Sequence, residues 1–171
     1  SFEPVPFLFE RLKTNFNLNH FHNISLQKLA VSDKKEELFF EIPDNKNSAG
    51  ISLNKEKSSK SDVVYSITID EFVRQHNIPT VDFIKIDVEG FENFVINGGV
   101  STLIKFHPIL FIEIDNKNLN KNETSEKQLL TQLQDKLGYV LYKVDGNRTI
   151  KITSIQDTNE HYDVLCIFEM N

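Results

Sequence analysis

Apolar residues recur along the chain in two periods, and each period predicts one type of secondary structure. Near the start they follow the spacing of one helical face: Val5, Leu8, Phe9, Leu12 and Phe16. The first turn of this predicted helix tolerates proline because its N–H groups lack intrahelical partners. Phe2 and Glu3 precede the helix, and since a strand usually has about five or six residues, we interpret them as the end of a truncated strand.

Two mostly apolar runs in the middle of the chain predict central strands of a parallel sheet. Residues 81–88 form the first run and residues 109–114 form the second. Between them the apolar spacing predicts a helix that is broken at Gly98 and Gly99. Alternation of strands and helices is typical of a parallel sheet that is covered by helices.

Shorter segments with strand patterns flank these runs. They span residues 23–32, 37–42, 62–69, 139–144, 148–153 and 162–169. Asp145 and Gly146 are typical of a tight hairpin, so we expect the last three strands to be antiparallel. Residues 44–62 predict a solvated loop, and Asp70 is expected to cap a helix over residues 71–76. The pattern predicts an α/β fold whose mostly parallel sheet has an antiparallel C-terminal edge.

Composition narrows the class of protein. The chain has 171 residues, which fits one domain, and 25 acidic against 19 basic residues give a net charge of −6. This acidic balance argues against binding to nucleic acid. Cys166 is the one cysteine and lies in an apolar run, which predicts a buried thiol and a reducing, cytoplasmic compartment. The sequence predicts no membrane span and no signal peptide.

Acidic residues follow the predicted strands. They are Glu3, Asp87, Glu89, Glu113 and Asp115. Ligands of open α/β sheets bind beyond the carboxyl ends of the strands, so these acids could meet in one cleft. Clustered carboxylates need a compensating cation, a raised pKa or water, which suits a divalent metal, an ammonium or sulfonium group, or sugar hydroxyls. For Asp87 we favour a function, because a carboxylate that closes a buried strand is costly.

The sequence has one feature of a nucleotide-binding site and lacks another. A carboxylate such as Glu3, at the end of a second strand, can accept hydrogen bonds from both ribose hydroxyls in dehydrogenases and in methyltransferases alike. No GxGxxG loop is present, so half of an expected nucleotide site is missing from the sequence. The histidines lack metal-ligand spacing and are interpreted as surface or structural residues: His20, His22, His76, His107 and His161.

Four segments together resemble the FkbM family of S-adenosylmethionine-dependent methyltransferases, in their order and spacing. They are residues 2–4, 29–33, 82–90 and 108–114, and the most specific is Ile84-Lys85-Ile86-Asp87-Val88-Glu89-Gly90. The resemblance implies a seven-stranded, Rossmann-like class I methyltransferase sheet. It also implies O-methylation of a hydroxyl group on a sugar, a glycan or another secondary metabolite, so a small-molecule or glycan acceptor.

The resemblance also assigns roles by position. For the cofactor, Glu3 would bind the ribose hydroxyls, Val31, Ser32 and Asp33 would border the adenine, and Asp87 would lie near the methyl donor.

For the chemistry, Asp87 is the preferred base, with Glu89 second and Glu113 third. A carboxylate can take the proton of a hydroxyl group, and methyl transfer otherwise depends mainly on in-line positioning of the hydroxyl oxygen and the methyl group. No metal is predicted.

One departure from the family is large. Its members begin with a strand and a glycine-rich loop that holds the methionyl part of the cofactor, and here that segment would precede Ser1. The domain, residues 1–171, is therefore expected to be incomplete at its N-terminus and to lack the central strand between those ending at Glu3 and Asp87. This chain alone is expected to bind cofactor weakly or not at all, to be inactive, and to expose an unpaired sheet edge.

The sequence also leaves other functions open. Glu3 also suits a nicotinamide-dependent oxidoreductase, and the missing loop suits a non-catalytic Rossmann-like interaction module. A metal-dependent phosphoryl enzyme could use Asp87, Glu89, Glu113 and Asp115, although no phosphate loop is present. The acceptor and the oligomeric state are also open.

Overall fold

The computed structural model describes residues 1–42, 51–158 and 160–169, which form a mixed α/β fold with two sheets. The first sheet has the order β1-β4-β2-β3, and the second has the order β5-β6-β9-β7-β8. The strands are β1 (Ala30–Val31), β2 (Glu37–Phe40), β3 (Leu53–Asn54), β4 (Asp62–Ile67), β5 (Phe83–Ile86), β6 (Ile109–Asp115), β7 (Tyr139–Asp145), β8 (Arg148–Lys151) and β9 (His161–Phe168).

Six α-helices and one π-helical turn connect the strands of the described residues. The helices are α1 (Pro6–Leu18), α2 (Ile69–Gln75), α3 (Glu92–Asn97), α4 (Val100–Phe106), α5 (Asn116–Lys121) and α6 (Glu126–Thr131), and the π-helical turn spans Gln132–Lys136. The predicted first helix and the break at Gly98 and Gly99 are confirmed. The two central strands are confirmed as β5 and β6.

The sheets are mixed, so a single Rossmann-like, mostly parallel sheet is not confirmed. Parallel pairing joins β1 to β4 and β5 to β6, while the other strand pairs are antiparallel. The reason lies in the connections: parallel strands need a long crossover, whereas the hairpin at Asp145–Arg148 joins its strands directly. The predicted antiparallel pairing of the last three strands is confirmed.

The N-terminal residues lie beside the first sheet. Phe2 forms an isolated parallel bridge with Gln27. The sequence predicts a strand over residues 23–32, but the structure has only this bridge and the short strand β1 there. In the second sheet, β5 is bonded to β6 alone among the described residues, so it is an edge strand as expected.

Two hydrophobic cores stabilise the two sheets. The larger core packs β5, β6, β7 and β9 against α3 to α6, and the smaller core packs α1 against β1 to β4. Val88 contacts both cores. The segment that follows β5 therefore lies at the junction between the sheets.

The prediction that Asp70 caps the second helix is wrong. Thr68, not Asp70, caps α2, because the Thr68 hydroxyl accepts the Glu71 N–H at 3.0 Å. The helix begins at Ile69, so Asp70 lies inside its first turn. Its carboxylate instead accepts the N–H groups of Ser101 and Thr102 at the start of α4.

The remaining expectations concern a loop, a thiol and the membrane. Strand β3 interrupts the predicted loop over residues 44–62, of which residues 44–50 lie outside the described part of the chain. Cys166 is fully buried, as predicted, and burial raises the pKa of its thiol to about 12. None of the helices described is long and apolar enough to cross a membrane.

Candidate functional site

A cavity of about 270 Å³ opens between the N-terminal segment, β1 and the turn that follows β5. Four residues singled out from the sequence line it: Glu3, Val31, Asp87 and Glu89. A second cavity, of about 450 Å³, adjoins it and runs along β5 beside Ile84 and Ile86. The tertiary structure therefore brings together acids that are more than 80 residues apart in the sequence.

Glu3 lines the 270 Å³ cavity and lies between the Phe2 bridge and α1. The Val5 N–H donates a hydrogen bond of 2.9 Å to Glu3 Oε1, which fixes the carboxylate. Burial raises the pKa of Glu3, and the Val5 N–H opposes the rise because it stabilises the charged form. Among the described residues, Oε2 has no hydrogen-bond donor.

The residues predicted to border an adenine ring lie in different surroundings. Val31 lines both cavities, whereas Ser32 and Asp33 line neither. Ser32 is fully buried, and its hydroxyl donates to Asp33 Oδ1 at 3.1 Å. Asp33 Oδ1 also accepts from Lys55 Nζ at 3.3 Å. Contact of Ser32 and Asp33 with a cofactor stays a prediction.

Asp87 is the first acid after β5, and an ion pair holds it in place. Lys85, two residues earlier on the same face of the strand, places Nζ 2.8 Å from Asp87 Oδ2. This hydrogen bond lowers the pKa of Asp87, while burial works in the opposite direction. Asp87 therefore holds its negative charge firmly.

Glu89 lies in the turn after β5 with a left-handed backbone, at φ 52°. Asn118 Nδ2 on α5 donates a hydrogen bond of 2.7 Å to Glu89 Oε2. Burial, followed by the charge of Asp87, raises the pKa of Glu89.

Glu92 supports this turn and was not singled out from the sequence. Its Oε1 accepts the N–H groups of Val88 at 3.3 Å and Gly90 at 3.1 Å, while its Oε2 is buried and has no partner in the part of the chain that the structure describes. The side chain is 2% exposed, and burial raises its pKa to about 6. An acid in the first turn of a helix is favourable near the free N–H groups at the start of that helix, but the groups that Glu92 accepts from lie before α3, so the sequence alone does not indicate these hydrogen bonds.

The three predicted catalytic acids form one cluster. One carboxylate oxygen from each of Asp87, Glu89 and Glu113 lies within 4.8 Å of the others. Parallel pairing of β5 with β6, in which Ile86 is opposite Ile112, places the two strand ends side by side. Burial raises the pKa of Glu113, the hydrogen bond from His161 opposes the rise, and the charge of Asp87 adds to it.

His161 is exposed, as its interpretation as a surface or structural residue predicts, and it contacts one member of this cluster. Its Nε2 lies 2.8 Å from Glu113 Oε1, and this hydrogen bond raises the pKa of the imidazole. His161 and Glu113 are 48 residues apart, so no local spacing indicates the pair. Only the antiparallel pairing of β6 with β9 brings them together.

Asp115 has a structural role. Its Oδ1 accepts the Lys117 N–H at 2.9 Å and thereby caps α5. The carboxylates of Asp87, Glu89 and Glu113 form the cluster without it, and Lys85 pairs with Asp87 while His161 pairs with Glu113. Their spacing also suits a divalent cation, so the absence of a metal stays a prediction.

Comparison with known proteins assigns the family. A model of the methyltransferase FkbM domain matches residues 1–141, most of the chain. This chain belongs to the FkbM methyltransferase family. In this FkbM domain, the matched residues include Glu3, Asp87, Glu89 and Glu113, while His161 lies outside them.

A solved structure supports the fold. The chain is similar to the crystal structure of methyltransferase FkbM from Methylobacillus flagellatus KT, with a TM-score of 0.56 and 14% sequence identity. The similarity covers 96% of this chain and 35% of that chain. The present chain therefore spans about a third of the length of that protein. No curated protein sequence matches it significantly.

Proposed function

We propose that this FkbM domain takes part in the transfer of a methyl group from S-adenosylmethionine to a hydroxyl group of a sugar, glycan or secondary metabolite. The single observation that carries the proposal is the cavity that brings Glu3 together with Asp87 and Glu89. Family membership supports the reaction class. The proposed frame is a Rossmann-like methyltransferase sheet.

The residues present fit the cofactor. Glu3 offers a carboxylate oxygen to which no described residue donates, which suits the two ribose hydroxyls, and the wall beside it contains Val31, Ala30 and Leu29. Ser32 and Asp33 follow that wall and are proposed to limit the adenine end. When bound, S-adenosylmethionine supplies a methyl group activated by a positively charged sulfonium.

The acid cluster fits the reacting end of the site. Burial is the largest cause of the raised pKa of Glu89 and of Glu113, and the negative charge of Asp87 adds to both rises, so a nearby cation would give favourable compensation. A sulfonium cation would supply part of that compensation. The same carboxylates can accept hydrogen bonds from a hydroxylated acceptor and hold it in line with the methyl group.

Isothermal calorimetry with the full-length natural protein tests the cofactor site. Glu3→Gln is expected to weaken S-adenosylmethionine binding by about tenfold, since a charged acceptor of hydrogen bonds becomes neutral. Glu10→Gln, an exposed residue of α1, is the matched control and should leave the affinity unchanged. The isolated chain of 171 residues is expected to bind weakly or not at all, and micromolar binding would refute that expectation.

Isotope transfer from methyl-labelled S-adenosylmethionine to simple sugars, methyl glycosides and lipid-linked sugars tests the reaction itself. Labelled product that depends on the full-length protein is expected. Absence of cofactor binding by that protein would overturn the proposal and favour a non-catalytic interaction module instead.

A further inference from the structure

The pair of His161 and Glu113 is fixed by two strands. In the antiparallel pairing of β6 with β9, Asp115 lies directly opposite His161, and Glu113 is two residues from Asp115 on the same face of β6. This diagonal relation places His161 Nε2 2.8 Å from Glu113 Oε1. The pair is therefore defined by the backbone of the sheet.

The imidazole is placed for proton transfer. With Glu113 as the acceptor of the Nε2 hydrogen, the lone pair is on Nδ1, the ring's other nitrogen. The His161 side chain is 62% exposed, so this nitrogen can reach an incoming molecule or return a proton to water. Glu113 in turn shares the acid cluster with Asp87 and Glu89.

Asp87 is less well suited to accept a proton than its position in the sequence implied. Lys85 neutralises it at 2.8 Å and lowers its pKa, which reduces its strength as a base. General bases work best when their pKa lies near the working pH, which is where an imidazole titrates. This comparison favours His161 over Asp87.

We propose that His161 accepts the proton of the acceptor's hydroxyl group and that Glu113 is a positioning residue, which orients the imidazole and stabilises its protonated form. The inference rests on the proposed methyl transfer. The hydroxyl O–H bond breaks and its proton goes to His161 Nδ1. The hydroxyl oxygen forms a bond to the methyl carbon, whose bond to sulfur breaks with the electron pair left on sulfur as a neutral thioether. The imidazolium then returns its proton to water.

Several charged groups surround the imidazole and contribute to its titration. Glu113 and Asp115 on β6 and Asp163 on β9 raise its pKa, and Asp87 and Glu89 after β5 also interact with it. Lys85 pairs with Asp87, and Lys143 on β7 pairs with Glu160, the residue before His161. Acids outnumber cations here, so the protonated ring is favoured. The pH dependence of the reaction should therefore change when Glu113 loses its charge.

NMR titration of the imidazole provides a readout that needs no activity. In the full-length protein, Glu113→Gln is expected to shift the midpoint of the His161 titration to lower pH. Glu10→Gln is the matched control, because this exposed acid is remote from the pair, and it should leave the midpoint in place. An unchanged midpoint in Glu113→Gln would overturn the role of Glu113.

Kinetics of methyl transfer test the role of His161. His161→Gln is expected to lower kcat by about 100-fold or more, to keep the affinity for S-adenosylmethionine, and to remove the acid limb of the pH–rate profile. Glu113→Gln should move that limb to lower pH. His22→Gln, which changes an exposed histidine outside the cluster, is the control and should keep both rate and profile.

The outcomes separate this inference from the proposed function. If the full-length protein binds no S-adenosylmethionine, both are overturned. If it transfers methyl groups and His161→Gln retains the rate and the acid limb, only the inference is overturned. Should His161→Gln melt at a lower temperature than the natural protein, His161→Ala with added imidazole replaces it, and partial recovery of the rate is then the expected result.

Discussion

The backbone of Gly98 passes directly against the carbonyl group of Ser32. A Cβ atom added to Gly98 would lie 2.1 Å from Ser32 O and 3.0 Å from Ser32 C. Gly98 itself has an ordinary right-handed conformation, with φ −76°, so the requirement for glycine here comes from space. The close approach joins the end of α3 to the segment that follows β1, and so connects the elements that form the two sheets.

Gly98→Ala is expected to lower the free energy of unfolding by about 3 kcal/mol or more, because rigid backbone must move to admit the methyl group. Gly146→Ala is the matched control: its φ is 56° and a Cβ would meet nothing within 4 Å, so only conformational strain of about 1 kcal/mol is expected. Urea denaturation measures both. Equal losses in the two variants would contradict the steric explanation.

Burial of Glu92 makes stability depend on pH. Its pKa is about 6 in the folded protein against 4.5 for an unperturbed glutamate. The folded state therefore binds the Glu92 proton more tightly than the unfolded state does. This tighter binding stabilises the fold fully below pH 4.5 and is lost as the pH rises through 6, which lowers the free energy of unfolding by about 2 kcal/mol.

Glu92→Gln removes this titration. Relative to the natural chain, the free energy of unfolding of the variant should increase by about 2 kcal/mol when the pH is raised from 4 to 7.5, as measured by urea denaturation at each pH. Glu10→Gln, on an exposed part of α1, should show no such gain. A difference between Glu92→Gln and the natural chain that stays constant with pH would contradict the prediction.

Tyr139 anchors the start of β7 through a buried hydrogen bond. Its hydroxyl group donates to Pro108 O at 3.0 Å, just before β6, and the side chain is 2% exposed. Tyr139→Phe should lower the free energy of unfolding by about 1 kcal/mol. Tyr142→Phe removes a surface hydrogen bond to Glu169 and should cost less than half as much. Thermal and urea unfolding would measure both, and a reversed order would be inconsistent with burial as the cause.

Asp70 links α2 to α4, since it accepts the Ser101 N–H at 3.0 Å and the Thr102 N–H at 2.8 Å. Burial raises its pKa, but the hydrogen bonds from Thr102 and Ser101 outweigh it, so the net shift is downward from 3.8. This stabilisation is present above pH 3.8 and is lost as the pH falls through the lower folded value.

Asp70→Ala should therefore cost about 1 kcal/mol at pH 7, the usual value for a lost helix cap, and less at pH 3. Asp82→Ala, at an exposed aspartate before β5, is the control and should have little effect at either pH. Chemical denaturation at the two pH values gives the comparison. A loss that grows as the pH falls would contradict the assigned hydrogen bonds.

Much of the local structure could be predicted because its causes are local. The apolar spacing in α1, the glycines between α3 and α4, and the turn at Asp145 and Gly146 each act within a few residues. The cap of α2 could not be assigned, because Thr68 and Asp70 are both good capping residues. Contacts with α4 decided between them, since Ser101 and Thr102 engage Asp70.

By itself, the sequence determined the order of the strands and helices and the acids at the strand ends, because strand and helix periods and turn residues act along the chain. Tertiary structure alone decided which strands pair and which charges meet. Those pairings divide the strands into two mixed sheets, place Glu3 beside Asp87, and bring His161 to Glu113 across 48 residues. The physical reason is that hydrogen bonds between strands and the burial of shared cores depend on contacts that no local pattern encodes.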